Sequence, residues 1–336
     1  CSACRAFERR PTVDWQVREQ DFRSLMRKHK THPVYDCVVG SSGGKDSHYI
    51  ALKMRELGFW PLLVTATTDW PTELGKRNIE NLKQLGFDTV EFTPSIPIRR
   101  KLNRIALETV GDIEWPEHAL IFSTPIRVAA EMGIGLVLYG ENPQNDLSGG
   151  REGAQDAIRL DKAWREEYGG LLGLRPADLV GREGITVEDM AAYEWPGRST
   201  CCGCFPHTEV VQREPPALFL GQFFPWDGQR NAELALAHGF TSVETLEGGL
   251  ADVENLDNAC IGVHDYFGFL KYGFGRTSVR QSLAIRHGRQ TRKVGLRLAE
   301  MLDDVYPSEY MGVPLSVLLG DMGMTQEQFD AIVDRF

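Results

Sequence analysis

Val34-Tyr35-Asp36-Cys37-Val38-Val39-Gly40-Ser41-Ser42-Gly43-Gly44-Lys45-Asp46-Ser47 runs from an apolar stretch through a glycine loop into a segment of helical spacing. Val34 to Val39 predicts a buried strand that stops at Gly40. Residues 46–57 carry Ile50, Met54 and Leu57 on one helical face. Between strand and helix, paired glycines let the backbone fold tightly and turn its N–H groups toward an anion. The helix N-terminus adds partial positive charge. Ser42, Lys45 and Ser47 can donate to phosphate oxygens, and Asp46 can hold a magnesium ion or order the loop. A plain strand-to-helix turn would also use glycine and serine. Neither the Walker pattern Gly-x4-Gly-Lys-Ser/Thr nor the dinucleotide fingerprint Gly-x-Gly-x-x-Gly fits these residues.

Outward from the loop, apolar runs at Leu62–Ala66, Thr89–Phe92 and Leu136–Tyr139 predict three more strands. Helical patterns at Glu73–Leu85, 98–110 and 117–132 separate them. This alternation predicts an α/β unit with a parallel sheet covered on both faces. Ligands of such sheets bind at the carboxyl ends of the strands, here Gly40–Ser47, Thr67–Asp69 and Gly140–Asn145. Before the sheet, Trp15, Val17, Phe22, Leu25 and Met26 recur at helical spacing. After Asn145 the pattern turns mostly helical. Ser148-Gly149-Gly150 reads as a flexible joint, 151–195 as short helices, Leu218–Phe224 as one more strand, and Cys260–Tyr272 and 291–304 as helices. Thr325 with Gln328 forms a capping-box signature for the last helix. The expected division is 1–33, a cysteine segment with a helix; 34–147, the loop-bearing α/β domain; and 148–336, a mostly helical region for substrate or partner.

The 336 residues are 42% hydrophobic and 25% charged, with a net charge of -10. That acidity argues against a nucleic-acid partner. No apolar run reaches the ~20 residues of a membrane span, and no signal-peptide pattern opens the chain. The sequence starts at Cys1 rather than Met, which predicts residues upstream. Of the seven cysteines, five fall in two clusters, Cys1/Cys4 and Cys201/Cys202/Cys204. An odd, clustered count predicts a reducing cytoplasm with one metal site rather than a disulfide framework. Cys1-x2-Cys4 and Cys201-x2-Cys204, with Cys202 as the alternative ligand, would complete a four-thiolate zinc site. An iron–sulfur cluster and a set of free thiols are the other readings. Cys37 and Cys260, in apolar runs, are expected in the core.

Ser42-Gly43-Gly44-Lys45-Asp46-Ser47 matches the signature Ser-Gly-Gly-x-Asp-Ser without departure, and so resembles the pyrophosphate loop of the N-type ATP pyrophosphatases. The resemblance implies an adenine nucleotide alpha-hydrolase-like (PP-loop) fold that splits ATP to AMP and pyrophosphate. The expected nucleotide contacts are residues 42–47 with Thr65, Thr67, Gly140 and Glu141, and Lys45, Asp46 and Ser47 are expected to carry turnover. Further segments, Thr72–Asn78, Arg99–Ala106, Trp115–His118, Tyr139–Pro143, Gly221–Asp227, Gly262–Tyr266 and Leu270–Arg276, resemble the N-acetyl sugar amidotransferases. That likeness runs the length of the chain and is weakest over 146–216. Relatives usually carry a second Cys-x2-Cys just upstream, which this sequence lacks.

The amidotransferase resemblance implies conversion of an acetamido group to an acetamidine for surface polysaccharides such as lipopolysaccharide. Transfer of AMP to the amide oxygen would make a good leaving group, which ammonia then displaces. Cys1 is a tempting glutaminase nucleophile, but only 35 residues precede Asp36, too few for a glutaminase core. No Gly-x-Cys-x-Gly elbow occurs either. The family therefore implies a separate class I glutaminase, with a barrel-shaped partner, delivering ammonia. Asn142, His264, Lys271 and Arg276 are the expected contacts to an acetamido sugar or sugar nucleotide, since rings pack on sugar faces and cations pair with anions; a buried helix end with a glycine turn is the other reading of the 264–276 segment. Arg276, Arg280, Arg286, Arg289 and Arg292 form a local basic stretch, for which a solvated helix face is the commoner outcome. Two other functions compete: a loop-dependent sulfur transferase using an iron–sulfur cluster, and a module that senses ATP without turnover.

Overall fold

The computed structural model of the chain describes residues 2–8, 12–143, 157–196, 214–243 and 253–336. In chain order these form α1 Ser2–Glu8, α2 Trp15–Lys28, β1 Cys37–Gly40, α3 Lys45–Glu56, β2 Pro61–Ala66, α4 Glu73–Gln84, β3 Thr89–Phe92, α5 Ile96–Val110 and α6 Trp115–Met132. Next come β4 Val137–Tyr139, β5 Arg159–Leu160, α7 Lys162–Tyr168, α8 Val187–Met190, β6 Ala217–Phe219 and α9 Gly228–Ala237. The C-terminal part holds α10 Ile261–Tyr272, α11 Arg276–Arg286, α12 Arg292–Leu302, the hairpin β7 Glu309–Tyr310 with β8 Val313–Pro314, α13 Leu315–Met322 and α14 Gln326–Val333.

The first six strands make one sheet in the order β3-β2-β1-β4-β6-β5. Val38 of β1 is in register with Leu62 of β2 on one side and Val137 of β4 on the other, both parallel. Side chains alternate between two cores, as a strand's period of two requires. Val38, Leu62, Val64, Val137 and Phe219 meet Ile126 and Ala129 of α6. Cys37, Val39, Leu63, Leu138 and Leu218 meet Phe22 and Met26 of α2 and Ile50 and Met54 of α3. A third core joins α10, α13 and α14 to Trp70, Leu107 and Ile113, tying the C-terminal helices to the sheet-bearing part.

Several expectations need correction. The sheet is mostly, not wholly, parallel, because β5 runs antiparallel to β6 at one edge. Both strands come from beyond residue 147 and extend the sheet that the first four begin. The first strand begins at Cys37, not Val34: the N–H groups of Val34 and Tyr35 donate to His32 Nδ1 (3.1 and 3.0 Å), and Val34 is exposed. The apolar run 218–224 leaves the sheet after Phe219. A 3-10 turn, Leu220–Gln222, brings Phe223 and Phe224 back against Phe22, with ring centroids 5.4 and 5.3 Å apart. Helices α5 and α6 start at Ile96 and Trp115, because Pro97 and Pro116 sit in first turns, where proline's missing N–H costs nothing. The Thr325–Gln328 capping box is present as expected. Cys37 and Cys260 are buried free thiols, and Cys4 is half-buried on α1. Cys1, Cys201, Cys202, Cys204 and Ser148–Gly150 lie outside the described residues.

Candidate functional site

β1 and β4 are neighbours, yet the chain leaves β1 toward β2 on one side and builds β4 and β6 on the other. The loop after β1 therefore lies at a switch point of the sheet, where open α/β sheets form a ligand crevice. Gly43 has φ +80°, and a Cβ there would sit 2.6 Å from Ile79 Cγ1 of α4, so only glycine fits both the conformation and the space. Gly44, extended at φ -70° and ψ 175°, is the N-cap of α3, and no side chain caps that helix. Its first N–H groups are thus available to an anion. The loop is held from behind. Ser42 N donates to Ser47 Oγ (3.0 Å), while the two ring nitrogens of His48 pair with Gly44 O (3.0 Å) and Asn81 Oδ1 (2.9 Å). Burial lowers the pKa of His48, against the pull of the hydrogen bonds to Gly44 and Asn81.

Lys45 is buried and points its ammonium at Asp46 and at Glu254 Oε1, 3.5 Å away. Burial works against its charge, but Asp46, Glu254 and Glu141 outweigh it and raise its pKa. Asp46 is oriented by α9, whose Asn231 Nδ2 donates to Asp46 Oδ1 at 2.8 Å. Glu254 also faces Arg280 Nε of α11 at 3.9 Å. Burial would raise the Glu254 pKa, yet Lys45, Arg280 and Arg276 together lower it. Loop, α9 and α11 enclose a cavity of about 1200 Å³ that Glu141, Trp226 and Arg276 also line. Trp226 stands edge-on to Tyr49, with centroids 5.2 Å apart, and covers Gly140, where a Cβ would meet its ring at 3.1 Å.

Not every expected residue reaches this cavity. Ser42, Gly43, Gly44, Lys45, Asp46, Ser47, Glu141 and Arg276 line it; Thr65, Thr67, Gly140, Asn142, His264 and Lys271 do not. Thr65 is buried, and Thr67 Oγ1 is spent on Phe92 O (3.3 Å) and Thr93 Oγ1 (2.8 Å). Asn142 is wholly buried, with Nδ2 3.4 Å from Ala157 O. Arg276 grips Asp265 with two hydrogen bonds, of 2.6 and 2.8 Å. His264 Nδ1 pairs with Asp112 Oδ1 at 2.8 Å, and Lys271 Nζ reaches Val110 O at 3.4 Å. Burial alone would push His264 down, but Asp112 pulls it up to about 9. His264 and Lys271, both half-buried, thus belong to an ionic cluster around buried Asp112, between α10 and the α5–α6 junction. Sequence reasoning missed Glu254 and Asn231, which lie in no periodic or motif-bearing stretch, and gave Arg280 only as part of a solvated face.

Among the described residues no group of three or more His, Cys, Asp or Glu side chains is placed to hold a metal ion. Chemically, the cavity offers uncapped N–H groups, a buried ammonium and guanidinium groups on the facing helix. That set suits a polyphosphate rather than a neutral ligand.

Residues 238–336 match the family model described as LPS biosynthesis protein WbpG-like, C-terminal domain. No curated protein matches the chain. The matched segment supplies Glu254, Arg276 and Arg280, so one wall of the cavity is similar to proteins of lipopolysaccharide biosynthesis. No helix of the described residues is long and apolar enough to cross a membrane.

Proposed function

We propose that the chain is an ATP-dependent amidotransferase of the PP-loop superfamily that converts an acetamido sugar to an acetamidino sugar for lipopolysaccharide assembly. The observation that carries this reading is the uncapped, glycine-cradled N-terminus of α3 with buried Lys45, in a cavity whose far wall lies in the segment matching a lipopolysaccharide-biosynthesis family. The acetamido oxygen attacks the α-phosphorus of ATP, the bond to the β-phosphate oxygen breaks, and pyrophosphate leaves. The loop N–H groups and Lys45 stabilise the charge that gathers on the departing pyrophosphate. Ammonia then adds to the imidate carbon and AMP departs with the former acetamido oxygen. Magnesium would enter with ATP, held by phosphate oxygens, water and one or two carboxylates. Asp46 is the nearest candidate. A separate glutaminase supplies the ammonia.

The test is mass spectrometry with isotopically labelled ammonium, ATP, magnesium and a panel of acetamido sugars and sugar nucleotides. The expected product carries the label and weighs about one mass unit less than unlabelled substrate before the isotope is counted, with AMP formed in step. Asp46→Ala and Ser47→Ala should lower pyrophosphate release by on the order of 10²-fold or more. A thio-product formed from a sulfur donor, with no labelled amidine, would replace amidation with sulfur transfer.

A further inference from the structure

The segment that carries Glu254 is pinned beside the loop. Thr72 Oγ1 donates to Leu256 O, Thr72 N donates to Asp257 O (3.1 Å), and Ala259 N donates to Trp70 O (3.0 Å). Gly75 of α4 lies so close that a Cβ would come within 2.5 Å of Asp257 Cα. The backbone just after Glu254, at Leu256, Asp257 and Ala259, is therefore held against the α4 side of the cavity. That side chain carries a carboxylate between two cations from different parts of the chain, Lys45 Nζ at 3.5 Å and Arg280 Nε at 3.9 Å. The position adjoins the uncapped N-terminus of α3. Gly228, the first residue of α9, borders the same spot, its Cβ position lying 3.6 Å from Lys45 Nζ and 3.9 Å from Glu254 Oε1.

A carboxylate between an ammonium and a guanidinium occupies the place, and has the charge, that one phosphate group would have there. We infer that Lys45 and Arg280 form a single pyrophosphate-binding pair, and that Glu254 is its internal counter-ion, which phosphate oxygens displace. The inference rests on the proposal that the loop receives the pyrophosphate end of ATP. It adds a phosphate-binding residue, Arg280, from the C-terminal segment, which no loop signature includes. It also makes Glu254 a positioning residue: when ligand is absent, it holds Lys45 and Arg280 facing one point. Because the chain is held at residues 256–259, a rotation of the Glu254 side chain is enough to clear the position between Lys45 and Arg280.

The experiment is a calorimetric titration of the whole chain with inorganic pyrophosphate in EDTA, so that a magnesium-binding role of Glu254 cannot contribute. Glu254→Gln keeps the shape and removes the competing charge, and should bind pyrophosphate roughly tenfold tighter than wild type. Arg280→Gln should bind roughly tenfold weaker, Arg280→Lys should recover part of that loss, and the Glu254→Gln gain should shrink when Arg280 is already Gln. Unchanged or weaker binding by Glu254→Gln, or wild-type binding by Arg280→Gln, overturns the inference. In both cases wild type binds and Lys45→Met does not, so the loop's role stands. A wild-type protein that melts cooperatively yet binds no pyrophosphate overturns both. Should Glu254→Gln fail to fold, Glu254→Ala gives the same readout.

Discussion

Gly43 meets two constraints at once, φ +80° and the side chain of Ile79 at its back. Gly43→Ala should therefore cost about 1–3 kcal/mol of stability through the strained backbone alone, and weaken pyrophosphate binding as the loop shifts. Adding Ile79→Ala removes the Cγ1 contact but not the close Ile79 backbone N (3.0 Å) or the φ, so stability should return only in part. Thermal unfolding of the single and double variants checks this, and full recovery would mean that φ carries no strain. His264 behaves oppositely. It is bound to Asp112 outside the cavity, so His264→Gln should lower stability yet leave pyrophosphate affinity within about twofold, there being no direct contact to lose. A large loss of affinity in a well-folded His264→Gln would reinstate it as a ligand contact. The difference between these two residues is a difference of range. Gly43 is legible because its φ is set by its own loop, although the Ile79 contact that also demands glycine lies on α4 and is not. His264 has its partner 152 positions away, and no local spacing encodes that.

At the scale of elements, strands β1 to β4 and the helices between them were legible because their periodicity is strong and each is bounded by glycine or proline. What was missed has weak periodicity. Strand β5 is two residues long, below any pattern. Helix α9 buries only Asn231, Ala232 and Ala235, small or polar residues that leave no apolar stripe, and its start depends on an Asp227 side chain accepting from Gln229 N at 3.1 Å. The run 218–224 misled because Phe223 and Phe224 are as apolar as strand residues but are buried by a turn. Helix α1 rests on α11 through Phe7, 5.7 Å from the His287 ring and 5.9 Å from the Arg286 guanidinium, and Phe7 lines the cavity mouth. If Cys4 is one of four thiolates on a zinc ion, elemental analysis should find about one zinc per chain, and chelation should weaken ligand binding by loosening this edge. A metal-free protein with an intact cavity would remove zinc from the account.

Taken whole, the molecule has an acidic net charge of -10 and a local basic wall on α11, and the first conceals the second in any reading of composition. The α5–α6 junction and the C-terminal part are joined by ionisable groups that no single segment displays, all buried except His264, which is half-buried. Asp112 and Glu114 from the α5–α6 junction meet Asn258, Cys260 and His264, with Asn258 Nδ2 donating to Glu114 at 2.8 and 2.9 Å and Cys260 Sγ lying 2.5 Å from it. Burial, with Glu117 and Asp112 nearby, pushes Glu114 up to about 8 despite His264 and Cys260. Burial pushes His118 down to about 4, against the pull of Asp112.

These shifts fix how stability depends on pH. Glu114 holds its proton longer folded than unfolded, so its contribution is complete below about 4.5 and lost as pH climbs to about 8. His264, with a folded pKa of about 9 against 6.5, contributes fully below 6.5 and loses that contribution toward 9. His118 has the opposite sign and gains between about 4 and 6.5, offsetting Glu114 there. Above 6.5 Glu114 and His264 both lose stability, joined up to about pH 7 by Asp257, whose carboxyl burial raises to about 7, so the melting temperature should fall from pH 6.5 to pH 9. Each titrating group contributes at most about 1.4 kcal/mol per pH unit. Glu114→Gln keeps a neutral polar group at the junction and removes one of these contributions, so its decline should be visibly shallower between pH 7 and pH 8, where Asp257 no longer titrates, with the His264 portion remaining from there to pH 9. Melting curves of both proteins across that range decide the matter, and parallel declines would mean that Glu114 does not stay protonated in the folded chain.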